Sequence, residues 1–168
     1  YVDGARVGRA LVAGCECVQS QRNELNRINV YPVPDGDTGT NLALTASAIA
    51  DHLRKVRSNS FSVVAEEAAD AAILGARGNC GMILSHFLWG FSEASGGSDK
   101  TDATGFADAM QKAVEHVYRS LEKPMEGTII TVMRATADHA RPCNITDFGD
   151  LLESLVTEAR RELDRTPE

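Results

Sequence analysis

Apolar residues recur along most of this chain at the three- and four-residue intervals of a helix face. From Asp3 to Arg27 the positions Val7, Leu11, Cys15, Val18 and Leu25, continued by Ile28, draw a single stripe and predict one long helix. The same patterning predicts helices over residues 39–57, 62–76, 80–95, 103–121, 128–141 and 147–164. Seven helices result, with no convincing strand pair. Breakers separate them: Pro32 and Pro34, Gly75 and Gly78, Ser95 to Ser98, Lys123-Pro124 and Arg141-Pro142. None is long enough for an interdomain linker, and no internal repeat or low-complexity segment interrupts the series. The expectation is one all-α domain over residues 1–168.

Composition narrows the class. At 168 residues and 43% hydrophobic content the chain builds a real core. Seventeen basic residues against 24 acidic ones give a net charge of −7, and nowhere do basic residues gather with interleaved aromatics. Nucleic acid is therefore not an expected partner. Charges or glycines interrupt every apolar run well short of the roughly 18 residues a transmembrane helix requires, and no signal peptide opens the chain. A cytoplasmic address is the expectation. Cys15, Cys17, Cys80 and Cys143 lack CxxC spacing, so packed, reduced thiols are expected.

One segment is too particular to be explained by packing: Val30-Tyr-Pro-Val-Pro-Asp-Gly-Asp-Thr-Gly-Thr-Asn41. It holds Asp35 and Asp37, two carboxylates one residue apart, in a loop shaped by Pro and Gly just before a helix. A hard divalent cation takes oxygen ligands, while the free N–H groups of a helix start accept phosphate oxygens. Two further helix starts share this character, Gly78-Asn79-Cys80-Gly81 and Glu126-Gly127-Thr128. Glycine lets a phosphate approach the backbone, and first-turn N–H groups have no partner within the helix. Ordinary capping by Thr38, Asn79 and Thr128 explains any one start. Three together, beside the Asp pair, favour a nucleotide.

Absences restrict the kind of site. The four lysines, Lys55, Lys100, Lys112 and Lys123, follow no GxxxxGK pattern, and kinase and Rossmann fingerprints are missing. An EF-hand fails as well: counted from Asp35, the twelfth position is Ala46, where a bidentate Glu is required.

The segments 29–41, Gly75-Ala-Arg-Gly-Asn-Cys-Gly-Met-Ile-Leu84 and Glu126-Gly-Thr-Ile-Ile-Thr131 resemble the three signature segments of the nucleotide-binding domain shared by dihydroxyacetone kinases and bacterial fatty acid kinases. The Pro-Val-Pro before the Asp pair is close to the fatty acid kinase version. The resemblance implies an antiparallel barrel of up to eight helices with ATP and two magnesium ions at one end. It further implies metal ligation, and with it the catalytic role, by Asp35 and Asp37. Asn29 is the nearest candidate for a further ligand, which is Asp in the dihydroxyacetone kinases. Phosphates are expected over Asn79 and Cys80, where many relatives show Asn-Ser-Gly, and Thr38, Asn41, Gly127 and Thr128 complete the nucleotide set. Relatives usually continue into a final helix after the seventh, so the sequence looks like a fragment of a longer protein, with dimerisation a consequence of open apolar surface.

In the fatty acid kinase branch the implied reaction moves the ATP γ-phosphoryl group to a fatty acid presented by a separate carrier protein, with the remaining domains of the parent chain required. The alternatives are a dihydroxyacetone kinase-type subunit, or a module that binds ATP or ADP without catalysing transfer. Arg77, between Gly75 and Gly78, is read either as a phosphate-neutralising cation or as a surface charge. His52, His86, His116 and His139 are read as packing or surface residues, Phe87, Trp89 and Phe91 as core, and the acidic clusters at 66–70 and 158–164 as solvated helix faces.

Overall fold

The computed structural model describes residues 1–30, 34–141 and 145–166. Pro32, Pro142 and Cys143, and the chain end at Pro167-Glu168, lie outside the described residues. The chain folds as an all-α helical barrel. Its elements run β1 (Val2–Asp3), α1 (Gly4–Ser20), α2 (Arg22–Arg27), α3 (Thr38–Leu53), α4 (Phe61–Gly75), α5 (Gly78–Ala94), β2 (Lys100–Thr101), α6 (Ala103–Ser120), α7 (Ile129–Ala140) and α8 (Phe148–Arg165).

Three aspartates start helices as their side chains dictate. Asp3 accepts the Arg6 N–H at 2.9 Å, Asp102 that of Gly105 at 2.8 Å, and Asp147 those of Gly149 and Asp150 at 2.8 and 3.1 Å. The short connections make successive helices from α3 to α8 neighbours of alternating direction, each packed on the next. The starts of α3, α5 and α7 consequently lie at one end of the barrel.

Three sequence expectations are corrected. The helix predicted over Asp3–Arg27 is broken at Gln21, whose φ of −93° and ψ of 6° leave the helical region. The break lets α2 fold back onto α3, so the described residues form eight helices rather than seven. A small strand pair also exists, β1 and β2 antiparallel with Val2 opposite Thr101 and Asp3 opposite Lys100. The predicted 39–57 helix ends early because Lys55 and Val56 donate to the carbonyls three residues back, which unwinds its last turn.

The core is rich in alanine. Ala46, Ala50, Ala65, Ala68, Ala69, Ala72, Ala113 and Ala137 are buried, which lets α3, α4, α5, α6 and α7 approach closely. Larger side chains fill the spaces between, with edge-to-face rings running from Phe61 to Phe91, Phe106 and Phe148 at centroid separations of 5.8, 5.4 and 5.2 Å. Phe91 is core as predicted, whereas Trp89 remains 38% exposed. The α1 stripe is less buried than its periodicity implies, since only Gly4 and Val7 of that helix are fully covered.

Candidate functional site at the starts of α3 and α5

Gly36 takes a φ of 69°, a left-handed turn that glycine adopts without strain, and it separates the two carboxylates. Asp35 and Asp37 are both exposed. One Asp35 oxygen accepts the Asp37 N–H at a long 3.4 Å. Asp37 occupies the N-cap position of α3, where an aspartate ordinarily accepts a first-turn N–H. Here it does not cap: its φ of −112° and ψ of −7° are helical. Its carboxylate has no hydrogen-bond or ion-pair partner among the described residues.

Two asparagines do the capping in its place. Asn26, in the last turn of α2, accepts the Thr40 N–H at 3.0 Å and donates to the Thr40 hydroxyl at 2.9 Å. Asn29 accepts from the Thr38 hydroxyl at 2.6 Å and from the Thr38 N–H at 3.3 Å. Its amide oxygen, expected as a metal ligand, is thus committed to Thr38, and a cation would have to compete with that hydroxyl. Gly39 lets α2 lie this close, because a Cβ there would sit 2.2 Å from the Arg22 carbonyl oxygen.

The start of α5 lies directly against that of α3. Gly78, with a φ of 62°, faces Asn41, and a Cβ on it would lie 2.8 Å from the Asn41 Nδ2. The Cys80 thiol reaches the Thr38 carbonyl at 3.6 Å. Thr45, fully buried, donates to the Asn41 carbonyl at 3.0 Å and accepts the Arg77 N–H at 3.0 Å, stitching the two segments together. Burial pushes the Cys80 thiol up from its ordinary range, and the nearby Asp37 and Asp35 charges add to the rise. Asp35, Asp37, Thr38, Asn41, Asn79 and Cys80 therefore belong to one locale.

No side chain caps α5. The first-turn N–H groups of Gly78, Asn79 and Cys80 have no partner within the helix, so an anion would find donors there together with the positive end of the helix dipole. Arg77, at the N-cap, is exposed and has no ion pair among the described residues. One guanidinium nitrogen donates to the adjacent Ala76 carbonyl at 2.8 Å.

Gly127 and Thr128 stand apart from this pair of segments: no hydrogen bond or ion pair among the described residues joins them to α3 or α5. The Gly127 N–H donates to the Thr131 hydroxyl at 2.9 Å, and the Thr128 oxygen accepts the Ile130 N–H at 3.4 Å. Behind the turn sits a network that sequence reasoning missed. Glu126 accepts from the Thr131 and Tyr118 hydroxyls, both at 2.5 Å, and from Arg134 at 3.2 Å. These bonds hold its carboxyl below the usual carboxylate range, the Thr131 bond contributing most. The i, i+5 and i, i+8 spacings from Glu126 give no periodic signal. Asn26, Thr40 and Thr45 were also missed, since their roles depend on the α2 fold-back and on the meeting of α3 with α5.

A cleft of about 750 Å³ lies at the opposite end of the barrel, lined by α1, the end of α3 and the 56–59 segment. It contains none of the candidate residues. Among the described residues no cluster of three or more His, Cys, Asp or Glu side chains surrounds a point that a metal ion could occupy. Two carboxylates without a cage suit magnesium, which keeps waters and completes its shell with substrate phosphates. The donor set therefore fits magnesium delivered with a nucleotide better than a resident structural ion. No helix of the described residues is long and apolar enough to cross a membrane.

The all-α barrel, together with the family that the sequence matches, makes this a nucleotide-binding, kinase-associated domain. The DAK2 domain family model matches residues 32–168, and the chain belongs to that family, part of the dihydroxyacetone kinase group. Protein YloV of Bacillus subtilis (strain 168) is 34% identical over 169 residues, covering 99% of this chain and 31% of the relative. Uncharacterized proteins of Staphylococcus saprophyticus and of Staphylococcus aureus (strain USA300) are 33% and 31% identical over 99% of the chain. The chain spans about 31% of the length of these relatives.

Proposed function

We propose that the chain is the ATP-binding domain of a fatty acid kinase, in which Asp35 and Asp37 would hold magnesium brought with the nucleotide. The observation that carries this reading is the uncommitted Asp37 carboxylate, released from capping by Asn26 and Asn29 and set beside the unpaired donors of α5. Asn79 and Cys80 would receive phosphate through their backbone N–H groups, with Thr38 and Asn41 fixing the facing wall. Gly127 and Thr128 would approach from the third helix start.

When bound, magnesium neutralises phosphate charge and polarises the γ-phosphorus. The chain's own residues position the phosphates and supply fixed donors, the main requirements of phosphoryl transfer. In the proposed reaction a carboxylate oxygen of the fatty acid forms the new P–O bond. The bond from the γ-phosphorus to the β,γ-bridging oxygen breaks, ADP leaves, and an acyl phosphate results. No general base is required, because a carboxylate acceptor is already ionised at neutral pH.

The acceptor would arrive on a separate fatty-acid-binding carrier protein in the cytoplasm, with the remaining domains of the parent polypeptide or a second copy completing the assembly. Pro-Val-Pro ahead of the Asp pair favours this over a dihydroxyacetone kinase subunit. The test is a transfer assay on the full natural polypeptide with labelled ATP, carrier protein and fatty acid. Acyl phosphate formation that disappears in Asp37→Ala supports the proposal. ATP binding without transfer to either a fatty acid or dihydroxyacetone would favour the sensing module.

A further inference from the structure

We infer that Asn26 is a positioning residue: it takes over the capping of α3 so that the Asp37 carboxylate stays free for the metal. This rests on the nucleotide reading above and extends it to a residue outside the three signature segments. Aspartate is among the best N-cap residues, and the first-turn donors of α3 lie within its local reach. In this chain Asp3, Asp102 and Asp147 all cap their helices through the side chain, and Asp37 alone of the N-cap aspartates does not.

The difference has two linked parts: the Asp37 backbone is helical where the other three are extended, and another residue holds the Thr40 N–H. That donor is the one an Asp37 side chain would take, three residues on, as Asp3 takes Arg6 and Asp102 takes Gly105. Asn26 holds it instead at 3.0 Å, and its second bond, to the Thr40 hydroxyl at 2.9 Å, fixes the amide so that oxygen faces the N–H. Asn29 similarly occupies the Thr38 N–H. The Asn26 carbonyl lies beside Gly36 as well, 3.9 Å from where a Cβ would stand, so the same residue supports the loop between the two carboxylates. The break at Gln21 and the close approach at Gly39 deliver Asn26 to this place.

Residues behind a metal ligand that fix its orientation typically change metal affinity roughly tenfold to a hundredfold when removed. In Asn26→Ala the Thr40 N–H becomes available, and Asp37 takes it once its ψ of −7° moves to the extended values of Asp3, Asp102 and Asp147 (173°, −177° and 132°). The helix stays capped, so the melting temperature changes little, while magnesium-dependent ATP affinity falls roughly tenfold or more. Thr40→Val, which removes the hydroxyl that orients the amide, shifts affinity in the same direction, and Thr40→Ser, which restores it, returns affinity to the wild-type value.

Calorimetric titration of the full natural polypeptide with ATP, with and without magnesium, reads the affinity, and amide hydrogen exchange at Thr40 reports whether a cap persists. Lost affinity with a retained Thr40 cap supports the inference. Wild-type affinity in Asn26→Ala overturns it, as does a fall in melting temperature with no change in affinity. If the wild-type polypeptide binds no ATP with magnesium, the nucleotide reading fails and the positioning role fails with it.

Discussion

The starts of α5 and α7 are both glycine turns at the same end of the barrel, and they are finished in opposite ways. At α5, Gly78 lies against Asn41, and no side chain among the described residues caps the helix. At α7, Thr128 caps, the Gly127 N–H is spent on Thr131, and Glu126 gathers Thr131, Tyr118 and Arg134 behind the turn. The two sequences look alike, since each offers glycine beside a polar side chain. The first start has no side-chain cap among the described residues, whereas the second commits the Gly127 and Ile130 N–H groups to the Thr131 and Thr128 hydroxyls.

The sharpest way to break that contrast is to make the same substitution at each glycine. Gly78→Val forces a branched side chain onto a φ of 62° and toward the Asn41 amide. Destabilisation of about 1–3 kcal/mol is expected, with ATP affinity lost as the Asn41 wall is displaced. Gly127→Val meets a comparable strain at a φ of 77° but without a clash, its Cβ reaching only an ordinary contact with the Thr166 carbonyl at 3.8 Å. A similar loss of stability with a smaller loss of affinity is expected there. Denaturant unfolding and calorimetry separate the two quantities, and equal losses of affinity would remove the distinction drawn between the two turns.

A smaller effect sharpens the α7 side. The Glu126 carboxyl is held below its ordinary value of 4.5 by bonds that favour its charged form. A lowered folded-state pKa contributes stability above the unfolded value and loses it as pH falls through the folded value. Glu126→Gln should therefore flatten the pH dependence of stability below about pH 4.5, and leave ATP affinity at neutral pH nearly unchanged. The cost near neutrality is modest, about 0.5 kcal/mol for a half-exposed, solvent-screened group. Urea titrations between neutrality and acid pH check it; an unchanged slope would mean that the network carries no linkage. Smallest of all on binding, Thr128→Ala removes a cap worth about 1 kcal/mol and should leave ATP affinity within about twofold of wild type.

Much of the fold was legible because each long helix carries its own periodicity and punctuation. The α4, α6, α7 and α8 boundaries fall within a residue of the patterned ranges, as Gly75, Asp102, Thr128 and Asp147 dictate locally. Gln21 was not legible: neither glycine nor proline marks it, and the break exists because α2 finds a seat on Gly39 that no local pattern reveals. The two-residue strands escaped for the same reason, since Lys100-Thr101 has no alternation to read. Of the candidate site, residues of the first two segments were legible as a group because glycine and carboxylate spacing is local. Asn26, Thr40 and Thr45 were not, because their partners lie 14 or 32 residues away in sequence.

Titrating the wild-type polypeptide and its Asp37→Ala variant with ATP, in the presence and absence of magnesium, tests the central claim most directly. Magnesium-dependent binding is expected in the wild type, abolished in Asp37→Ala with its melting temperature preserved, since Asp37 is exposed and its carboxylate has no hydrogen-bond or ion-pair partner among the described residues. Binding that survives in Asp37→Ala with its magnesium dependence intact would contradict that claim.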